Sequence, residues 1–91
     1  FKRLIGLIGS KNISYGMLFP KCNSIHTFLM KENIDIIGLD DRNVVIYKYV
    51  NLPHNKVVVI PNDINKTSIL ELPQNASLCI KIGDILTFES E

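Results

Sequence analysis

Ile34-Asp35-Ile36-Ile37-Gly38-Leu39-Asp40 runs through Asp41-Arg42-Asn43 into Val44-Val45-Ile46-Tyr47-Lys48-Tyr49-Val50. An isoleucine-rich run meets a polar break, then a run of β-branched and aromatic residues. Such side chains pack well on a pleated, half-buried surface. Asp and Asn at the break suit a turn, because their side chains hydrogen-bond neighbouring backbone. The stretch predicts strands over 34–39 and 44–50, joined by a turn over 40–43.

Working outward, the same signals recur. The apolar run 15–19 is closed by Pro20 and reads as a strand with a hard stop. Residues 22–30 are extended in character, and Lys31-Glu32-Asn33 is a polar break. After a loop over 51–55, residues 56–60 predict a strand ended by Pro61-Asn62-Asp63, and 68–72 predict another before Pro73. Residues 73–79 suit a helical turn with Pro near its start. Gly83-Asp84 is a turn, and 85–88 a closing strand. At the other end, Leu4, Ile5, Leu7 and Ile8 have the spacing of one or two helical turns, ended by Gly9-Ser10. Apolar residues on both sides also permit a strand there. Six to seven short strands with close turn signals predict a mainly β fold, a small antiparallel sandwich or barrel with one or two short helical turns.

The chain's 91 residues fit a single domain, 1–91, and 46% hydrophobic residues supply a core. The net charge is +1, and lysines such as Lys48, Lys56, Lys66 and Lys81 are scattered. A nucleic-acid binder would carry a basic stripe with interleaved aromatics, so no nucleic-acid partner is expected. No apolar run approaches the roughly 20 residues that span a bilayer, so no transmembrane segment is expected. The chain begins at Phe1 rather than Met, and is read as lacking an N-terminal piece with room for a signal peptide or anchor. Localisation then has two readings: exported or envelope-associated if that piece carried a signal, cytoplasmic otherwise. No cofactor is expected: glycines never cluster before a helix, and there is no nucleophile elbow or paired-histidine zinc helix. The sequons at Asn12, Asn65 and Asn75 have meaning only in a eukaryotic secretory pathway.

His26 can be a base, a metal ligand or a hydrogen-bonding anchor, and also a partly buried histidine serving the fold. Asp35 lies among isoleucines, where a carboxylate is costly unless paired or hydrogen-bonded. It reads as a structural cap accepting backbone N–H groups, or as the partner of Arg3 or His26. If 25–30 and 34–39 form a hairpin, His26 falls near Gly38, whose bare backbone a ligand or the imidazole could approach. Cys22 and Cys79 are one bridge or two free thiols, with Cys79 expected in the core beside Leu78 and Ile80. Cys22 stands about 13 Å of strand contour from His26, so a catalytic Cys–His pair needs a bend at Asn23-Ser24. A metal site would draw on His26, His54, Asp35 and Cys22, although distant histidines without local spacing point there only weakly. Gly16, Gly83 and Asp84 read as architectural.

Cys22-Asn23-Ser24-Ile25-His26-Thr27, then Met30, then Ile34-Asp35 and a strand ending in Leu39-Asp40 form an ordered block. Arg3-Leu4-Ile5-Gly6-Leu7 and Gly16-Met17-Leu18-Phe19 precede it, and Ile69-Leu70-Glu71-Leu72-Pro73 and Ile82-Gly83-Asp84 follow. Together these blocks resemble the bacterial family catalogued as domain of unknown function 192 across nearly the whole chain. Departures are Ile8 for a usual Met, Gly9-Ser10 for an aromatic and an Arg, Asn33 for a Pro, and Asn75 for a Gly. The second leaves Arg3 as the arginine of that region.

The resemblance implies a non-catalytic binding or accessory module, associated with the cell envelope or with secretion and pilus systems. Its site would comprise Arg3, His26, Thr27 and Asp35, facing a small ligand or protein partner; the oligomeric state is left open. The alternatives are a small hydrolase-like enzyme using Cys22 and His26, and a metal-binding protein.

Overall fold

Strand Ile34–Asp40 (β4) is buried on both faces, and the architecture follows from that. Alternation sends Ile37 and Leu39 into one apolar cluster with Leu18, Val45, Leu70, Leu72 and Ile80. It sends Ile34 and Ile36 into another, with Leu52, Val58, Ile60 and Ile69. A strand so enclosed must also pair both edges, since unpaired buried amides are costly. β4 accordingly runs antiparallel between Val45–Leu52 (β5) and Thr67–Pro73 (β7). The computed structural model describes residues 3–8, 13–27, 32–53 and 55–90, with side chains for those between 16 and 88.

Arg3–Ile8 (β1), Ile13–Phe19 (β2) and Thr87–Ser90 (β8) extend the sheet to the order β5-β4-β7-β2-β1-β8. The two ends of that order meet. Val44 bridges Ile85, the Val45 amide donates to the Asp84 carbonyl at 2.8 Å, and the Leu86 amide donates to the Asn43 carbonyl at 3.0 Å. The six-stranded sheet therefore closes into a small barrel, with the Ile37–Leu39 cluster as its interior. Gly16 makes room there: a Cβ on it would lie 2.7 Å from Leu72 Cδ2 and 3.0 Å from Leu70 Cδ1.

The short strands Ser24–His26 (β3) and Val57–Val59 (β6) pair antiparallel as a separate two-stranded ribbon. Ile25, Val58 and Ile60 press it against the outer face of the barrel. Packing is close at Gly38, where an added Cβ would meet Ile60 Cδ1 at 2.6 Å and Tyr47 Cβ of β5 at 2.9 Å.

Several expectations need correction. Residues 3–8 form β1 and no helical turn, because β2 and β8 pair with its two edges and hold the two-sided apolar run extended. The 25–30 and 34–39 hairpin does not form: β5 and β7 take both edges of β4, and β3 pairs with β6 instead. The Gly38 backbone is approached by Ile60, not by the imidazole. Residues 74–79 make successive turns closed by Ala76 to Pro73 and Ile80 to Ser77 bonds, while the short helical turn lies at Ile64–Lys66, capped by Asp63. Cys79 and Leu78 are exposed, and only Ile80 of that trio is buried, because the turn points its tip to solvent. Phe28, Met30 and His54 lie outside the described residues.

Candidate functional site

The pairing of the ribbon decides which side chains face out. Register places Ser24 opposite Val59, Ile25 opposite Val58 and His26 opposite Val57. Ile25 and Val58 point to the barrel, so Ser24, His26, Val57 and Val59 form the outer face. Val57 and Val59 are 72% and 61% exposed, well above what β-branched residues of a buried strand would show.

Thr27 locks this face in place. It is fully buried and its hydroxyl donates to the Pro53 carbonyl at 2.7 Å while accepting from the Lys56 amide at 3.0 Å. Its own amide donates to the Lys56 carbonyl at 2.9 Å, and its carbonyl accepts from the Asn55 amide at 3.0 Å. Asn55 takes the left-handed conformation (φ 59°) that this short return requires and that asparagine tolerates. His26, Asn55, Lys56 and Val57 then border an open, largely apolar depression of about 450 Å³.

Asp35 has a different job. It shares a face with Ile37 and Leu39, so it looks into the barrel, away from the ribbon. Opposite it the register of β5 slips: Ile34 pairs with Leu52 and Ile36 with Tyr49, leaving Val50 and Asn51 against one residue. This is a β-bulge, with Asn51 at φ 65°. One Asp35 oxygen accepts from the bulge amide of Asn51 at 2.9 Å and from the Asn75 amide at 3.1 Å. The other accepts from the Ser77 amide at 3.0 Å and its hydroxyl at 2.5 Å. Burial acts to raise the Asp35 pKa, but the Ser77 hydroxyl and the three amides together outweigh it and hold the carboxyl below its usual value. The cap thus ties the turn over 74–79 across one end of the barrel. Asn75, at φ 67°, fills a left-handed position that suits glycine or asparagine, which accounts for its departure from the family pattern.

Cys22 is half-buried beside the outer cluster, and its thiol donates to the Ser24 carbonyl at 3.0 Å. Both cysteines are free. Arg3 lies in β1 opposite Leu18, with its side chain outside the described residues. The structure therefore brings His26 and Thr27 together, and sets Asp35 on the opposite face of β4. Among the described residues no three His, Cys, Asp or Glu side chains gather as a metal set, and no helix is long and apolar enough to cross a membrane.

Lys56, Asn55 and Val57 escaped the sequence reading, as did Asn51, Asn75 and Ser77. The first group had no signal, because three successive valines do not say which one faces out. The second had one, since a buried carboxylate demands donors, but those donors come from 16, 40 and 42 residues away.

The fold and site define a small closed antiparallel barrel carrying an external ribbon with an open apolar face. The model of the family described as DUF192, an uncharacterized ACR, matches residues 1–88, and the chain belongs to that family. Searches of curated proteins and of solved structures found no match.

Proposed function

We propose that this chain is a non-catalytic binding or accessory module, and that its ligand meets the ribbon at His26 and Val57. The observation that carries the reading is the open depression bordered by His26, Asn55, Lys56 and Val57, with Thr27 fixing their backbone from beneath. Its mixture suits recognition: an apolar floor, with an imidazole, an amide and an ammonium around it. Two other candidate groups, Asp35 and Cys22, are occupied by the fold. Asp35 is consumed by backbone donors on the far side of β4, and the Cys22 thiol is engaged with the Ser24 carbonyl. Of the four residues expected to bind, His26 touches the ligand in this reading and Thr27 positions it, Asp35 caps the barrel on the far face of β4, and the Arg3 side chain lies outside the described residues. A bacterial envelope or secretion setting is part of the proposal and rests on the family resemblance.

The test uses hexanoate and phenylacetate as probes, followed by amide chemical shifts. Saturable shifts at 24–27 and 55–59, weakened roughly tenfold by His26→Ala, with the probes recovered unchanged, support the reading. Shifts confined to other parts of the barrel, or conversion of a probe, overturn it.

A further inference from the structure

The ribbon has a second property besides its apolar face. The Thr27 amide donates to the Lys56 carbonyl and the Ile60 amide to the Asn23 carbonyl. In an antiparallel pair the backbone groups of successive residues point to alternate sides. Residues 56, 58 and 60 therefore turn their polar backbone toward β3, while Val57 and Val59 turn theirs away. β6 pairs with β3 and with no other strand among the described residues. Its outer edge thus offers two N–H donors and two C=O acceptors, spaced as in a sheet, next to the two most exposed valines of the ribbon. The outer edge of β3 is less available, since the Ser24 carbonyl already accepts the Cys22 thiol.

An open edge strand is a template for another strand. We propose that β6 accepts an extended peptide as a third strand of the ribbon, its alternate side chains lying over Val57 and Val59 and a carboxylate at one end meeting Lys56 and His26. The assignment rests on the functional reading above and names the partner class and its mode of binding. Charge selects the occupant: among the described residues the depression at the end of β6 is bordered by Lys56 and His26 and by no acidic side chain, so the complementary strand bears a carboxylate there. Backbone bonds would supply affinity and the valine face would choose among side chains.

The probe is a capped pentapeptide of alternating threonine and valine ending in aspartate, titrated into the full chain and read by amide shifts and amide exchange. The expected result is saturable binding with protection of the Val57 and Val59 amides. A probe N-methylated at alternate residues, which cannot donate to the edge, should bind at least about tenfold more weakly. Replacing aspartate by asparagine should weaken binding severalfold. Val59→Pro should abolish it while leaving the ribbon intact, because the lost N–H faces away from β3; the N-methylated probe decides the matter even if that variant fails to fold. Equal binding of the N-methylated probe overturns strand addition, and so does absence of saturable shifts at 57 and 59. Concentration-dependent shifts there without peptide would assign the edge to a second copy and also overturn the proposal. If hexanoate and phenylacetate still bind at 24–27 and 55–59, the binding-module reading survives that failure; if neither kind of probe binds there, both fall.

Discussion

The Asp35 carboxylate and the Ser77 hydroxyl meet at 2.5 Å across 42 residues of chain, inside the end of the barrel. Removing the carboxylate leaves the buried Ser77 amide and hydroxyl, and the part-buried amides of Asn51 and Asn75, without their acceptor. Leaving buried donors without acceptors costs about 1–3 kcal/mol each, partly relieved by relaxation. Asp35→Ala should therefore lower stability in urea by about 3–5 kcal/mol, and Ser77→Ala by about 1–2 kcal/mol. A loss under about 1 kcal/mol for Asp35→Ala would show that the cap is dispensable.

Acid should act through the same group. Asp35 titrates below its unfolded value near 3.8, because Ser77 and the amides outweigh burial. Between the folded and unfolded pKa values the unfolded chain binds more protons, so stability rises with pH there. The contribution is fully present above about pH 5 and drains away as pH falls below about 4. Asp40 is lowered too, chiefly by the Val44 amide, and adds to the same slope at the barrel seam. Urea midpoints between pH 2.5 and 7 (about the range in which these carboxyls titrate) should fall on the acid side, with a shallower fall in Asp35→Asn. An unchanged acid slope in that variant would remove Asp35 from the explanation.

Gly38→Ala should unseat the ribbon. Its new methyl would lie 2.6 Å from Ile60 Cδ1 and 2.9 Å from Tyr47 Cβ, so at least one neighbour must move. Overpacking of this kind costs about 1–3 kcal/mol. Amide exchange should accelerate at 23–27 and 56–60 before it does in β4. Adding Ile60→Val removes the nearer atom and should recover part of the loss; strict additivity of the two changes would argue against this contact.

Thr27→Val keeps the shape but deletes the hydroxyl that joins Pro53 to Lys56. The Lys56 amide loses its acceptor, at about 1–3 kcal/mol, and the depression loses its frame. Hexanoate binding should weaken several-fold more than the stability loss alone explains, with recovery in Thr27→Ser. Identical probe affinity in the valine variant would separate Thr27 from the site.

Thiol reactivity gives a direct check on the turn over 74–79. Cys79 is exposed at its tip, whereas Cys22 is half-buried and hydrogen-bonded. An aromatic disulfide reagent should modify one thiol rapidly and the second far more slowly, and Cys79→Ser should abolish the fast phase.

Much of the fold was legible in local pattern, and the limits were physical. The run 34–39 sits inside β4, and the run 44–50 matches β5 except that the strand starts at Val45 and continues through Leu52 into the expected loop; both follow because their composition and the Asp40–Asn43 turn act locally: Asp40 accepts from the Arg42 and Val44 amides. Residues 3–8 were ambiguous because helical spacing and two-sided strand burial give the same apolar letters, and only pairing with distant β2 and β8 decides between them. Asp35 as a cap could be inferred from the cost of a buried carboxylate; its donors could not, being tertiary. His26 and Thr27 are adjacent in sequence and stay adjacent in the site, yet Asp35, eight or nine positions on, ends on the other face of β4, since alternation and the intervening loop separate them.

Closure of the barrel also has a consequence in time. β1 and β8 are neighbours, with Ile5 opposite Ser90, and the seam joins Val44 to Ile85. Nothing local rewards these contacts until most of the chain has been gathered, so the entropy of drawing the ends together is spent before the interior is sealed. A barrel of such remote pairings folds in milliseconds to seconds, not microseconds. Until that moment β1 and β5 are open edges, each a template for the wrong strand, so the chain is most exposed to mispairing just before its seam is sealed.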